Sequence, residues 1–465
     1  MKHPRTVKLA ETMTFPELRA AAMKLSESVE MTRDNEDRER YEEAIHHLLA
    51  ASIVNEKQDW SILRACSLVK RWQLSFGGEL LGLAEEAFRR KQSQGALSYI
   101  CRGVLADFEH SEINRRFSDL REKLVDPGLL AILGIFESIA IYDKGDLGGY
   151  EEKVRETRSL IPPDFQNYIL TPFSTVVLDE DLATPRSNDT CTELVQKLDR
   201  FREGWTPTEV DYTIVTSCDA VYLDAFGELL VKSFEISTSA AAKLVIVVLG
   251  TRASVEEQVL RLQAFSPRVE FVFFELELEE NLAPGSSLVR FFPVSEILST
   301  SSKPVILMDI DAVITDDLTA FVDAGNGSDL ALRRLGQKVA PWERYPAGIV
   351  VFYPTEVGKY IAEKVKFAGV RILRPGDKQW WIDQSMLEYG IRSAEKKFGK
   401  PPKMENLMSI TRTALVLPTG RRETKLKVLR AALEKVEAPK NGQSLNLLLG
   451  LESGQKQPKY AILVL

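Results

Sequence analysis

The 465-residue sequence is poor in histidine and cysteine, and it has no long hydrophobic run. Its four histidines lie at or before position 110, which excludes Ser-His-Asp triads, Cys-His pairs and His-Glu-x-x-His zinc sites from the rest of the chain. The four cysteines are far apart, so neither a disulfide framework nor a zinc site is indicated. The longest aliphatic run, residues 244–249, is far shorter than the ~18 residues that a membrane-spanning helix needs.

The charge balance and the composition set further limits. The net charge is −7, from 60 Lys and Arg against 67 Asp and Glu, which argues against a dedicated nucleic-acid or anionic-membrane binder. The hydrophobic share of 44% is typical of a soluble protein large enough for two or three domains. Because the N-terminal residues lack the apolar core of a signal peptide, the expected location is cytoplasmic, with no nucleic-acid partner and no membrane span.

The first part of the chain has a helical pattern. Apolar residues recur every three or four positions in residues 41–53 and 80–88, as on one buried helix face. Residues 95–107 continue the pattern and resemble a tetratricopeptide unit, although no 34-residue period fits the region. The sequence predicts a helical, repeat-like domain over residues 1–180. We expect this domain either to hold an acceptor or a protein partner or to be a purely structural appendage that shields the sheet of the second domain, rather than to do chemistry.

A Pro-rich connecting region with a short predicted strand at residues 175–178 runs to about residue 205. From residue 211, apolar strands alternate with amphipathic helices, which predicts an α/β domain built on a parallel sheet over residues 206–433, with a tail at 434–465. The predicted strands are residues 212–215, 244–249, 269–274, 304–308, 348–353 and 414–417.

Two carboxylates stand one residue apart directly after the strand at 304–308. Because alternate side chains of a strand share a face, Asp309 and Asp311 can converge on one cation. Carboxylates together with diphosphate oxygens suit Mn²⁺ or Mg²⁺. Asp179 and Asp181 have a similar apolar lead-in but lie in the connecting region, where we predict a loop.

Four further segments accompany this pair in order along the chain. Asp219 and Tyr222 follow the first strand of the domain, and Arg290-Phe-Phe-Pro precedes the pair. Tyr345-Pro-Ala-Gly and Trp381-Ile-Asp383-Gln384 come after it. Over residues 211–425 these segments resemble the GT-A glycosyltransferases, particularly the family-8-like enzymes that use nucleotide sugars.

The resemblance implies a GT-A-like (Rossmann-like) α/β domain that transfers a sugar from a nucleotide diphosphate donor, a UDP-sugar, with retention of configuration. The acceptor is an unidentified glycan, protein or small molecule. The resemblance assigns Asp309 and Asp311 to Mn²⁺ or Mg²⁺, and Asp383 and Gln384 to the reacting sugar. It assigns the nucleotide and its diphosphate to Thr216, Ser217, Asp219, Tyr222, Arg290, Gly420, Arg421, Arg422 and Lys425.

The chain departs from the family pattern at two positions. Pro346 replaces the family's Asn before Ala-Gly, and Leu417 replaces the His that supplies a third metal ligand. With two protein carboxylates only, we expect metal binding to be weaker or to depend more on the substrate. Independently of the resemblance, Asp219 and Asp383 also suit a purely structural role as helix N-caps.

Two other functions stay open. The apolar lead-in to Asp309 and Asp311 also resembles haloacid-dehalogenase-type phosphatases, in which the first Asp is a nucleophile and the second a general acid. In that fold the strand bearing the pair comes first, whereas here two or three strand-helix units precede it. The other alternative is a non-catalytic helical scaffold that carries a degenerate transferase domain.

Overall fold

A computed structural model gives the fold of the chain. The structure describes residues 4–27, 35–54, 61, 64–65, 79–90, 92–162, 173–205, 209–275, 283–334, 340–373, 382–407, 414–418 and 420–438. The chain divides into two compact units, one built from Met1–Leu170 and the other from Thr171–Leu449. None of the helices in the described ranges combines the length and the apolar character that crossing a bilayer requires.

The described elements of the first unit are all α-helices. The helix Pro127–Asp143 shows why the sequence folds in this way. Asp126 caps its first turn by accepting a hydrogen bond from the backbone N–H of Leu129, and Pro127 stands where a helix tolerates proline. The helices are α1 Pro4–Thr12, α2 Phe15–Glu27, α3 Asn35–Val54, α4 Glu79–Arg90, α5 Gln94–Asp107, α6 His110–Arg121, α7 Pro127–Asp143 and α8 Leu147–Leu160.

The second unit is a mixed α/β fold with a seven-stranded sheet. Its strands are β1 Tyr212–Cys218, β2 Ala242–Leu249, β3 Val269–Phe274, β4 Val305–Met308, β5 Val313–Ile314, β6 Leu330–Leu332, β7 Ile349–Phe352, β8 Met404–Asn406 and β9 Leu415–Val416. Its helices are α9 Asn188–Gly204, α10 Ala220–Ser237, α11 Glu256–Phe265, α12 Ala283–Val289, α13 Phe292–Thr300, α14 Thr319–Ala324, α15 Glu356–Ile372, α16 Ile382–Phe398 and α17 Arg422–Glu437.

The sheet has the strand order β3-β2-β1-β4-β7-β6-β8. The first four of these strands are parallel, whereas β7 is antiparallel to β4, so the sheet is mixed rather than wholly parallel. β5 and β9 form a separate antiparallel pair, in which Val313 faces Val416. This small pair brings the start of α17 close to the residues that follow β4.

Both faces of the sheet are covered, which explains why its central strands are continuous apolar runs. Along β1 the side chains alternate between two cores. Val215 packs in the core that includes residues of α13, α15 and α16, and Ile214 packs in the core that includes residues of α10, α11 and α17.

The described residues that precede α9, from Phe173 onward, belong to the second unit. Residues 175–178 are not the short strand expected there, because side chains of α16 bind them instead of a neighbouring strand. Arg392 donates to the carbonyl of Val177, and Thr175 exchanges a hydrogen bond with Ser385. Asp179–Leu182, the expected loop, forms a turn of 3-10 helix.

Candidate functional site

The strand order reverses direction between β1 and β4. The sheet extends from β1 through β2 and β3 in one direction, and from β4 through β7 in the other. Open α/β sheets bind ligands at such a switch point. Asp219 directly follows β1, and Asp309 and Asp311 follow β4, so three residues singled out by the sequence stand at this edge.

Asp219 acts as the N-cap of α10. Its carboxylate accepts a hydrogen bond of 2.8 Å from the backbone N–H of Tyr222, which satisfies one of the unpaired donors of the first turn. The half-buried ring of Tyr222 lies 5.3 Å, between centroids, from the ring of Phe226. The capping role is therefore observed, and a role of these two residues in nucleotide binding stays a prediction.

Arg290, between α12 and α13, connects three separate segments of the second unit. It is 2% exposed, and it donates to the carboxylate of Asp309, to the carbonyl of Ala347 at 2.9 Å and to the carboxylate of Asp383 at 3.1 Å. Burial by itself lowers the pKa of Arg290, but Asp309 and Asp383 outweigh it and leave this pKa raised. The guanidinium thus remains charged and orients two carboxylates at once.

Asp383 lies at the start of α16 with its side chain 14% exposed. One of its oxygens accepts from the backbone N–H of Gln384 at 2.9 Å, and the other binds Arg290. Burial raises the pKa of Asp383, and Arg290 opposes that rise. Asp383 therefore lies within the first turn of α16 and is a member of the charged cluster, while the contact described for Gln384 is through its backbone.

Asp311 pairs with Lys425. The ammonium nitrogen of Lys425 lies 2.6 Å from Oδ2 of Asp311, and the two side chains are 20% and 10% exposed. Burial raises the pKa of Asp311, and so does the charge of Asp309, while Lys425 counteracts both. Burial lowers the pKa of Lys425, but Asp311 more than offsets this effect.

Asp309, Asp311, Asp383, Arg290 and Lys425 therefore form a charged cluster, which carries three negative and two positive charges. Asp309 is its most accessible member, with a side chain 39% exposed. A cluster that is net negative and partly buried attracts a cation. The cluster at the carboxyl end of β4 can therefore bind a cationic ligand, or an anionic ligand that is accompanied by a metal cation.

The other predicted residues lie outside these ion pairs. Thr216 and Ser217 point to opposite faces of β1, as neighbouring strand residues must. Thr216 is fully buried with no hydrogen-bond partner for its hydroxyl among the described residues, and Ser217 donates to the carbonyl of Ser286. The three residues around the start of α17 are all exposed: Gly420, Arg421 and Arg422.

The sequence missed two backbone groups of the site. The carbonyl of Ala347, which accepts from Arg290, lies within the Tyr-Pro-Ala-Gly motif, but a motif of side chains does not reveal a carbonyl acceptor. The carbonyl of Ser286 carries no sequence signal at all. Trp381, the first residue of the predicted Trp-Ile-Asp-Gln motif, lies outside the described residues.

Gly348 leaves the space that Asp309 occupies. A Cβ added at Gly348 would lie 2.9 Å from Oδ2 of Asp309, closer than carbon and oxygen atoms normally approach. We expect Gly348→Ala to displace the Asp309 carboxylate and, if this carboxylate is a metal ligand, to weaken Mn²⁺ binding roughly tenfold. Titration calorimetry with Mn²⁺ measures the change.

Gly204→Ala is the matched control for this prediction, because a Cβ at that helical position meets nothing within 4 Å. It should leave the Mn²⁺ affinity unchanged. Equal affinity in both variants and the parent protein would show that Gly348 does not position the carboxylate.

The carboxylates fit a divalent cation only in part. Within the described ranges, no group of three or more His, Cys, Asp or Glu side chains is placed to enclose a metal ion. Asp309 and Asp311 supply two hard oxygen donors, and Leu417 supplies none. The donor set suits Mn²⁺ or Mg²⁺ if water and the oxygens of a bound diphosphate complete the coordination.

No protein-family model matches the chain, and no curated protein matches it. Glycosyltransferases are among the solved structures that resemble it. The bifunctional glycosyltransferase WbbM in its apo form is 15% identical, with 49% of this chain and 46% of WbbM covered and a TM-score of 0.29. Apo GlyE from Streptococcus pneumoniae TIGR4 is 16% identical, with 49% and 63% covered and a TM-score of 0.28.

The mannosyltransferase PcManGT from Pyrobaculum calidifontis, in complex with GDP-Man and Mn²⁺, is 12% identical, with 56% of this chain and 87% of PcManGT covered and a TM-score of 0.24. The matches span less than two thirds of WbbM and of GlyE. At these identities and TM-scores, the likeness assigns neither a donor, nor an acceptor, nor a metal.

Proposed function

We propose that the second unit is a nucleotide-sugar-dependent glycosyltransferase, whose donor diphosphate binds at the carboxyl end of β4. The observation that carries this proposal is the charged cluster at the topological switch point. Two carboxylates one residue apart stand at that edge, one ordered by the buried Arg290 and the other facing Lys425. A pair of carboxylates with adjacent cations suits a diphosphate that binds together with a divalent metal ion.

In this proposal the residues of the cluster have distinct roles. Arg290 keeps the carboxylates of Asp309 and Asp383 in a fixed orientation. Asp309 and Asp311 hold Mn²⁺ or Mg²⁺, which when bound offsets the charge of the leaving diphosphate. Lys425 binds diphosphate oxygens, and the exposed Arg421 and Arg422 at the start of α17 add positive charge beside it. The buried arginine thus orients the carboxylates, and the more exposed basic side chains bind the diphosphate.

The remaining assignments rest on the family resemblance. The nucleoside, a uridine in this proposal, lies beside Thr216 and Ser217 at the end of β1 and contacts Asp219 and Tyr222. The sugar lies toward Gln384, next to Asp383 at the start of α16, and is transferred with retention of configuration. Pro346 cannot offer the amide of the family's Asn, so contact with the sugar there is limited to the backbone carbonyl and the ring.

A thermal-shift screen of the full chain tests the proposal. The ligands are UDP-, GDP-, CDP- and dTDP-sugars, each with Mn²⁺ and with EDTA. A selective donor at about 100 times its Kd adds about 2.7 kcal/mol to the free energy of unfolding, which corresponds to a rise of about 5–10 °C in Tm. The donor that stabilises the protein is then incubated with the protein in the absence of an acceptor. The release of free nucleoside diphosphate is measured.

The two alternative functions give different outcomes in the same assays. A haloacid-dehalogenase-type phosphatase hydrolyses simple phosphomonoesters and loses that activity in Asp309→Asn, because Asp309 is then the nucleophile. Such a result would replace the transferase proposal. A non-catalytic scaffold is indicated if no nucleotide sugar stabilises the protein and no phosphomonoester is hydrolysed.

A further inference from the structure

The two cations of the charged cluster differ in how firmly they are held. Arg290 is 2% exposed and binds two carboxylates and the carbonyl of Ala347, so it cannot move without breaking three contacts. Lys425 is 20% exposed, and Asp311 is its only ion-pair partner within the described part of the chain. Its charge is carried on a flexible four-carbon stem. Lys425 is therefore the cation that can leave its position while the cluster stays intact.

Lys425 occupies one oxygen of Asp311, a carboxylate that the proposed function assigns to the metal ion. Its ammonium lies 2.6 Å from Oδ2 of Asp311, which is one of the two carboxylates that follow β4. A divalent cation bound close to Asp311 would repel the ammonium, because like charges at short range in a partly buried site are strongly unfavourable. The lysine and the metal ion therefore compete for the charge of the same carboxylate.

We infer that Lys425 is a resident counter-ion of Asp311, that a divalent cation displaces it, and that the released ammonium then binds the diphosphate of the donor. The inference rests on the proposed function. Without nucleotide, Lys425 competes with the metal ion and weakens its binding. With nucleotide, the diphosphate gives Lys425 a new partner, so the metal ion and the nucleotide each increase the affinity of the site for the other.

The test measures Mn²⁺ and nucleotide binding separately on the full chain. Free Mn²⁺ is measured by electron paramagnetic resonance without nucleotide, and UDP and GDP binding is measured by calorimetry in the presence of Mn²⁺. We expect Lys425→Met to bind Mn²⁺ about tenfold more tightly than the parent protein, a coupling of ordinary size. The same variant should bind its nucleoside diphosphate about tenfold or more weakly, because a charge-assisted hydrogen bond is lost.

Two further variants keep the experiment interpretable. Lys427→Met removes a lysine from an exposed position of the same helix and should change neither affinity. Lys425→Gln can retain a hydrogen bond to Asp311 without the charge, so it tests the inference if Lys425→Met does not fold. It should also bind Mn²⁺ more tightly than the parent protein.

The outcomes separate this inference from the proposed function. Unchanged or weaker Mn²⁺ binding in both Lys425 variants, or no Mn²⁺ binding in any protein, overturns the inference, because Lys425 then positions Asp311 or is unrelated to metal. If the parent protein binds no nucleoside diphosphate under any condition, the proposed function fails. The part of the inference in which the released Lys425 binds the diphosphate fails with it. Tighter Mn²⁺ binding in that case still supports the competition between lysine and metal.

Discussion

Arg290→Met should lower the free energy of unfolding by about 3 kcal/mol, because it leaves Asp309 and Asp383 without their shared counter-charge. Removing one partner of a buried ion pair costs roughly 3–5 kcal/mol, and the exposure of Asp309 places this case at the lower end of the range. In a unit of this size, about 3 kcal/mol corresponds to a decrease of roughly 10 °C in the calorimetric midpoint of the full chain.

Two comparisons show whether the charge is the cause. Arg421→Met removes an arginine at an exposed position and should change stability by less than about 0.5 kcal/mol. Adding Asp383→Asn to Arg290→Met should restore part of the lost stability, since the buried carboxylate is then no longer charged. A midpoint for Arg290→Met within about 1 °C of the parent protein would contradict the prediction.

Asp309→Asn and Asp311→Asn should each lower the rate of donor hydrolysis or sugar transfer by a factor of about 10² to 10³. Loss of one group that stabilises developing charge in a water-poor site typically has this effect. Both amides can still accept the hydrogen bonds of Arg290 and Lys425, so the fold should be retained. The rate of nucleoside diphosphate release from the donor identified by the screen measures the effect.

Asp179→Asn is the internal control for these two variants. Asp179 shares the apolar lead-in of the Asp309 motif, but its side chain is 69% exposed and accepts a hydrogen bond of 2.9 Å from Tyr389. We expect Asp179→Asn to turn over the donor as fast as the parent protein does. The site assignment is wrong if Asp309→Asn and Asp311→Asn turn over donor as fast as Asp179→Asn does.

The long apolar strands were predictable because a buried parallel strand is an uninterrupted apolar run. The strand at residues 269–274 is found with the same bounds, and the run at 244–249 forms most of β2. β6 and β8 were not predicted. β6 has three residues, and β8 is the polar segment Met-Glu-Asn, whose pairing with β6 comes from its place at the sheet edge rather than from any pattern.

The residue types of the candidate site and their order along the chain can be read from the sequence, since each follows a strand or begins a helix with its own local pattern. The pairing of carboxylates with cations cannot be read from the sequence, because the partners are far apart along the chain. Arg290 lies 93 positions before Asp383, and Asp311 lies 114 positions before Lys425. Local propensity acts over a few residues, whereas these contacts depend on the strand order and on the β5–β9 pair that brings α17 toward β4. Which carboxylate pairs with a buried arginine, and which with a partly exposed lysine, is therefore decided by the tertiary structure alone.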